Sequence, residues 1–123
     1  MIMDTSLNSN IKIKDLTLMI NIGVTDEERS IAQKIGIDVQ VIFKNIPKAC
    51  MLDDINQTVC YNTICDVIRS NSYKPYNLIE HFCYDLFNII KKQIHIENRL
   101  ILKIKKYPKI SDLKDGVEFE ISD

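Results

Sequence analysis

Four segments of the chain alternate between apolar and polar residues, which is the pattern of strands with one buried face. The clearest spans residues 35–43, where apolar residues fall on every second position. Residues 11–20 alternate in the same way, but the phase slips at residues 14–15, which predicts a β-bulge within one strand. Two further strands are predicted at residues 100–105 and 117–122.

Between the second and third strands the apolar residues change to helical spacing. Residues 78–90 form the longer predicted helix, with Asn77 as its N-cap. A shorter helix is predicted over residues 61–71, and Pro75 separates the two. The inward-facing residues of the shorter helix are predicted to be Ile64, Val67 and Ile68. The order β-β-α-α-β-β predicts an α+β fold, with a four-stranded antiparallel sheet and two helices on one face.

This order leaves both edges of the predicted sheet without a partner strand, and open edges are normally blunted, covered or paired with another chain. The face away from the helices is predicted to be polar. It carries Asp38, Gln40, Lys103, Lys105, Glu118 and Glu120. Such a face meets solvent or lines a wide, water-filled barrel built from several subunits. The topology therefore predicts oligomerisation by strand pairing.

The length of 123 residues fits one domain, predicted to span residues 11–123 behind a flexible arm at residues 1–10. The formal net charge of −1 argues against a nucleic-acid or membrane partner, because both favour a basic surface. No apolar run approaches the roughly 20 residues of a membrane-spanning helix. The arm lacks the basic-then-apolar order of a secretory signal, so we expect a cytoplasmic protein.

The four cysteines are expected to be buried or half-buried free thiols rather than disulfides, because no secretory signal precedes them. They are Cys50, Cys60, Cys65 and Cys83. Cys60 and Cys65 do not have CxxC spacing, and the two histidines, His81 and His95, are not close to these two cysteines in the sequence, so no metal site is expected.

Candidate reactive residues cluster where the predicted elements begin and end. Glu28 lies in the acidic connection between the first two strands, and Tyr61 begins the shorter helix. Glu80 lies in the first turn of the longer helix, where free N–H groups and the helix dipole favour a carboxylate. Lys106 ends the third strand. Taken singly, each residue also fits an ordinary solvated loop, helix start or strand end.

Taken together, four stretches point to a known family. They are residues 22–33 (IGVTDEERSIAQ), 53–61 (DDINQTVCY), 77–81 (NLIEH) and 103–106 (KIKK). In this order and spacing, over nearly the whole chain, they resemble dihydroneopterin aldolase. The resemblance implies the tunnelling fold, in which four subunits close a sixteen-stranded barrel and two such rings often stack, giving a homotetramer or homo-octamer.

The resemblance also implies an activity. The family cleaves the side chain of 7,8-dihydroneopterin, a step of folate synthesis that yields 6-hydroxymethyl-7,8-dihydropterin and glycolaldehyde. The dihydropterin ring takes up the electrons of the broken C–C bond, so the protein needs to hold the ring and move protons. The implied reaction uses no metal, no other cofactor and no Schiff base.

Site residues follow from the same resemblance, position by position. Lys106 corresponds to the catalytic lysine and Glu28 to the acid that organises it. Tyr61 corresponds to a catalytic tyrosine that reaches in from the neighbouring subunit. Glu80 corresponds to the anchor of the pterin, because a carboxylate accepts two parallel N–H donors. The residues implied to line the pterin pocket are Thr58, Val59 and Ile79.

Lys105 and Lys106 are adjacent, and relatives often have proline directly after the catalytic lysine. Lys105 is therefore the alternative candidate for that role. Strand parity favours Lys106, which shares a face with Leu102 and Ile104. If Lys106 is the catalytic residue, Lys105 is expected to raise the local positive potential and favour loss of a proton from its neighbour.

Other activities of the same fold remain open. Dihydroneopterin triphosphate 2′-epimerase shares the anchor and the acid–base groups, and its triphosphate would favour a basic rim of the kind that nearby lysines supply. A non-catalytic pterin- or purine-binding protein would need Glu80 but not Tyr61 or Lys106. A zinc-dependent cyclohydrolase of this architecture is disfavoured because no compact Cys/His ligand set appears in the sequence.

Overall fold

The computed structural model describes residues 6–123, and the four predicted strands form one antiparallel sheet in the order β1-β2-β3-β4. The strands are β1 (Ser9–Ile20), β2 (Gln33–Phe43), β3 (Arg99–Lys106) and β4 (Val117–Ser122). The helices are α1 (Asp26–Arg29), α2 (Ala49–Leu52), α3 (Tyr61–Ser70) and α4 (Ile79–Lys91). The predicted α+β fold and its four-stranded antiparallel sheet are confirmed.

The core lies between one face of the sheet and the helices α3 and α4. The inward residues of β2 are fully buried, and they are Ile35, Ile37, Val39 and Val41. Opposite them, α4 contributes Phe82, Leu86 and Ile90, and α3 contributes Ile64 and Ile68. Burying each such side chain stabilises the fold by roughly 1.5–3 kcal/mol. Val67, expected to face inward, is only half-buried.

The predicted bulge is present in β1, where the pairing with β2 shifts between Ile13 and Leu16. Asp15 has a positive φ of 56°, a conformation that aspartate adopts more readily than bulky residues. Its backbone N–H donates to Asp38 Oδ1 at 2.7 Å, and Lys105 Nζ lies 3.1 Å from Asp38 Oδ2. One carboxylate on the polar face therefore holds both the bulge and the neighbouring strand.

The structure differs from the sequence-based expectations at several element ends. The N-cap of α4 is Leu78 rather than Asn77, and no side chain caps the helix. The cause is a parallel bridge between Ile22 and Tyr76, after which the backbone stays extended through Leu78. The single-turn helix α2 and a 3-10 turn at Ile55–Gln57 were not predicted.

At the start of the chain, β1 begins at Ser9, two residues inside the segment expected to be an arm. The rest of that expectation falls partly on residues 1–5, which lie outside the described residues. Among residues 6–123 no helix combines the length and the apolar character needed to cross a membrane. The four cysteines are free thiols, but Cys50 is exposed rather than buried.

Within the described chain, β1 and β4 each pair with one strand only, so both edges of the sheet are free. The polar face carries ion pairs across β3 and β4, with Lys103 Nζ lying 3.6 Å from Glu118 Oε2 and 3.9 Å from Glu120 Oε1. A face of this kind is stable in water and does not require a covering layer of protein.

We expect Asp38→Asn to destabilise the protein by about 1–2 kcal/mol at pH 7, because the bulge loses a charge-assisted hydrogen bond and Lys105 loses its partner. Burial opposes ionisation of Asp38, but the Asp15 N–H and the Lys105 ammonium outweigh it, so the pKa of Asp38 lies below its ordinary 3.8. A lowered pKa stabilises the fold above the unfolded-state pKa, and this contribution is lost as the pH falls through the native pKa. Urea unfolding from pH 7 to pH 3 measures the difference, which should shrink on acidification.

Glu118→Gln is the matched control, because it removes one charge from an exposed pair on the same face. Exposed pairs contribute little, so the loss should stay below about 0.5 kcal/mol. Equal losses in the two variants would contradict a special role for Asp38.

Candidate active site

Glu28 is held by a short, capped turn of helix between β1 and β2. Thr25 is the N-cap of α1, and its hydroxyl oxygen accepts a hydrogen bond from the Glu28 backbone N–H at 3.1 Å. The same hydroxyl donates to Glu28 Oε1 at 3.2 Å. The Thr-x-x-Glu spacing at a helix start therefore fixes both the backbone and the carboxylate of Glu28.

Gly23 lies directly against Glu28 and allows the loop to close. A Cβ on Gly23 would stand 2.3 Å from Glu28 Cβ, so only glycine fits there. Arg29 Nη1 donates to Gly23 O at 2.8 Å and to Val24 O at 2.9 Å. These contacts tie the two ends of the loop together and leave the Glu28 carboxylate at the surface.

Lys106 and Glu28 are brought together, with Lys106 Nζ 3.9 Å from Glu28 Oε2. Lys106 is the last residue of β3 and pairs with Ile35 of β2, on the face that carries the core. Its side chain is 17% exposed, against 45% for Glu28. A half-buried ammonium beside an accessible carboxylate can exchange protons with a bound substrate.

Lys105 points to the opposite face of the sheet, because successive residues of a strand alternate. Its ammonium lies 3.1 Å from Asp38 Oδ2, and this partner raises the pKa of Lys105. The expectation that Lys105 adds positive potential beside Lys106 is therefore wrong. Its charge is compensated by Asp38, and the sheet lies between the two ammonium groups.

Glu80 is exposed in the first turn of α4, and Ile79 before it is buried. Further along the helix, Cys83 Sγ donates to Leu102 O at 3.8 Å. At the other end of α4, Lys91 Nζ donates to the backbone O of Asn98 at 2.7 Å. The helix therefore runs antiparallel to β3, and Glu80 lies toward the end of the sheet where β3 reaches Lys106.

Tyr61, Thr58 and Val59 lie around the N-terminus of α3. Thr58 and Val59 line a pocket of about 600 Å³, together with Phe43 at the end of β2. The Tyr61 side chain is 56% exposed, a large apolar ring left in water in the single chain. Its ring and hydroxyl are therefore accessible to another molecule at the surface.

The expected site residues thus fall into two groups at opposite ends of the sheet. Glu28 and Lys106 lie at the end of the sheet where the buried part of β2 begins, at Ile35. Phe43, at the other end of β2, lines the pocket close to Tyr61. Phe43 lies eight positions after Ile35 in β2, which corresponds to about 26 Å at the rise of an antiparallel strand. One copy of the chain therefore does not bring Tyr61 to Lys106.

Tyr76 was not singled out from the sequence, yet it connects the elements that carry Glu28 and Glu80. Its backbone N–H donates to Asn21 O at 3.0 Å, and its carbonyl accepts from Gly23 N at 3.0 Å. No local pattern indicates this role, because the pairing joins residues more than fifty positions apart. The apolar tyrosine just before a helix N-terminus is the only signal in the sequence.

Comparisons with known proteins agree with this architecture. The FolB family model, described as dihydroneopterin aldolase, matches residues 11–122. A Chlamydia trachomatis serovar D protein named probable dihydroneopterin aldolase is 33% identical over 113 residues, covering 89% of this chain and 91% of that protein.

Solved structures show the same fold. FolB from Vibrio cholerae O1 superposes with a TM-score of 0.82 at 22% identity, covering 94% of this chain and 96% of that one. E. coli dihydroneopterin aldolase, solved in complex with neopterin, gives 0.80 at 22% identity, covering 92% and 98%. With the family model spanning nearly the whole chain, this protein belongs to the dihydroneopterin aldolase family.

Proposed function

We propose that this chain is the subunit of a homo-oligomer that cleaves 7,8-dihydroneopterin by a retro-aldol reaction, at a site shared between neighbouring subunits. The observation that carries the proposal is the pair of Lys106 Nζ and Glu28 Oε2, 3.9 Å apart. This pair stands at the end of the sheet toward which the N-terminus of α4, with Glu80, is directed. Acid–base groups and an anchor for the ring would thus face the same substrate.

Glu80 is the proposed anchor. Because no side chain caps α4, the N–H groups of its first turn remain available beside Glu80. An exposed carboxylate can accept two parallel N–H groups from a pterin ring, in the way that it accepts a guanidinium. The neopterin complex of the E. coli relative supports a pterin as the ligand.

The reaction needs proton transfers and an electron acceptor. A base removes the proton of the side-chain C2′ hydroxyl, the C1′–C2′ bond breaks, and glycolaldehyde leaves with its new carbonyl group. The electron pair of the broken bond enters the C6=N5 unit of the ring, and protonation at C1′ gives 6-hydroxymethyl-7,8-dihydropterin. Lys106 is the proposed proton carrier, and Glu28 holds it in place. The proposal involves no metal, no other cofactor and no Schiff base.

The second half of the site is proposed to come from a neighbouring subunit. Lys106 pairs with Ile35, whereas Thr58, Val59 and the neighbouring Tyr61 lie near Phe43, about 26 Å further along β2. A partner is therefore needed to supply them. The free edges β1 and β4 support assembly, because pairing them satisfies the open backbone groups of both. Four copies paired in this way would make a sixteen-stranded barrel, and two barrels an octamer. The free thiols support a cytoplasmic setting.

The charge distribution favours the aldolase over the triphosphate epimerase. A triphosphate needs uncompensated cations at the rim of the site. Lys103 is paired with Glu118 and Glu120, and Lys105 with Asp38, all on the polar face. Lys103 and Lys105, two of the lysines available for a basic rim, therefore carry compensated charge.

Turnover of 7,8-dihydroneopterin is the direct test of this function, and the wild type should release glycolaldehyde. Lys106→Met keeps the alkyl stem but removes the ammonium, so kcat should fall by at least about 100-fold. Lys105→Met is the matched control and should retain kcat within about three-fold, because Lys105 lies on the other face.

Each contrary result has its own meaning. If the protein epimerises dihydroneopterin triphosphate and releases no glycolaldehyde, its function is that of the epimerase rather than the aldolase. Pterin binding without turnover of either substrate would make the protein a binding module. Loss of activity in Lys105→Met but not in Lys106→Met would assign the catalysis to Lys105.

A mixing experiment tests the shared site. Tyr61→Phe and Lys106→Ala subunits should each be nearly inactive, but after subunit exchange about a quarter of the interfaces in a cyclic oligomer would carry both natural residues. Glycolaldehyde release should recover to roughly that fraction of the wild-type rate. Verified exchange, by mass spectrometry of differently tagged subunits, without any recovery would contradict a site formed by two chains.

A further inference from the structure

Tyr76 is a buried residue that joins two parts of the proposed site without belonging to either. Its side chain is 4% exposed. Through its backbone it forms a parallel bridge with Ile22 and accepts the Gly23 N–H at 3.0 Å. The segment before α4 is thereby fastened to the start of the loop that ends in Glu28.

The side chain of Tyr76 is fastened to the first turns of α4. Its hydroxyl donates to Asp85 Oδ2 at 2.8 Å. Its ring packs against the rings of His81 and Phe82, with centroids 5.6 Å and 5.0 Å away. His81 directly follows Glu80, so these contacts reach the residue next to the proposed anchor.

Asp85 accepts the hydrogen bond that holds the Tyr76 side chain against α4. Besides the Tyr76 hydroxyl, its Oδ2 has Lys74 Nζ at 3.6 Å and His81 Nε2 at 3.7 Å. Burial and the neighbouring Asp85 carboxylate raise the pKa of Tyr76, so the hydroxyl stays protonated and remains a donor. A hydrogen bond from a neutral hydroxyl to a carboxylate is stronger than one between two neutral groups.

The contacts continue from Tyr76 to the acid–base pair. Gly23, held by the Tyr76 carbonyl, packs so closely against Glu28 that no Cβ would fit between them. Glu28 in turn lies 3.9 Å from Lys106. Lys106 is held in β3 by its pairing with Ile35, so a shift of Tyr76 relative to α4 would move Glu28 relative to both Glu80 and Lys106.

We propose that Tyr76, through its hydrogen bond to Asp85, is a positioning residue that sets the place of the acid Glu28 relative to the pterin anchor Glu80 and to Lys106. The inference rests on the proposed function of these three residues. It separates two properties of the site. Binding of the pterin ring depends on Glu80, whereas cleavage also requires the side chain of the bound substrate to lie at the correct distance from Lys106 and Glu28.

Tyr76→Phe removes only the hydroxyl and tests this role. Its kcat with 7,8-dihydroneopterin, measured on folded oligomer, should fall by about ten-fold, because small displacements of reacting groups are costly. Its dissociation constant for neopterin should stay within about two-fold, because the Glu80 carboxylate is retained. The control is Tyr84→Phe, the same change on an exposed residue of α4, which should leave both values unchanged.

Asp85 variants provide a second line of evidence if Tyr76→Phe folds poorly. Asp85→Asn keeps an oxygen that accepts from the Tyr76 hydroxyl and should retain more of kcat than Asp85→Ala. Hydrogen exchange of the Gly23 amide gives a readout besides turnover. This amide should exchange faster in Tyr76→Phe, while amides between β2 and β3 keep their protection.

Several outcomes would overturn the inference. Unchanged kcat in Tyr76→Phe, with an active wild type, would reject the positioning role alone. Tyr76→Phe could have a lower unfolding temperature but a normal kcat per folded oligomer, or Asp85→Asn and Asp85→Ala could be equally active. Either result would show that the Tyr76–Asp85 hydrogen bond only stabilises the fold. A wild type that turns over no pterin would reject the proposed function and this inference with it.

Discussion

The alternation of side chains along β3 is the constraint on which the candidate site depends. Leu102 and Ile104 are buried against the helices, so the strand cannot shift by one residue without exposing the core. That register places Lys106 on the core side of the sheet, where its ammonium lies near Glu28. It places Lys105 on the polar side, where its ammonium pairs with Asp38. Adjacent lysines with the same side-chain chemistry thus occupy different environments because the backbone is pleated.

The same sheet explains why the chain is proposed to act as an oligomer. Lys106 and the N-terminus of α3 lie at opposite ends of the sheet. At the α3 end, Tyr61 is exposed beside a pocket of about 600 Å³. The free edges β1 and β4 offer the backbone groups through which further copies can pair. In the proposed oligomer, Tyr61 of one subunit would lie beside Lys106 and Glu28 of the next.

Patterns with a fixed period were predictable from the sequence, and contacts over long distances were not. The phase slip at residues 14–15 indicated the bulge, and period-two alternation indicated which face each lysine takes. Asn77 was wrongly assigned as the N-cap, because the bridge from Tyr76 to Ile22 keeps the backbone extended beyond it. Family resemblance supplied the site residues, whereas the Tyr76 hydrogen bond to Asp85 follows from packing that no local pattern reports.

The central claim is that one pterin site needs two chains, and a crystal structure of the assembled protein with neopterin tests it most directly. The ligand should lie between subunits, with both Glu80 carboxylate oxygens of one chain accepting N–H groups of the ring and the partner subunit's Tyr61 in contact with it. Neopterin held entirely within the pocket lined by Thr58 and Val59 of a single chain, away from Glu80, would contradict the account.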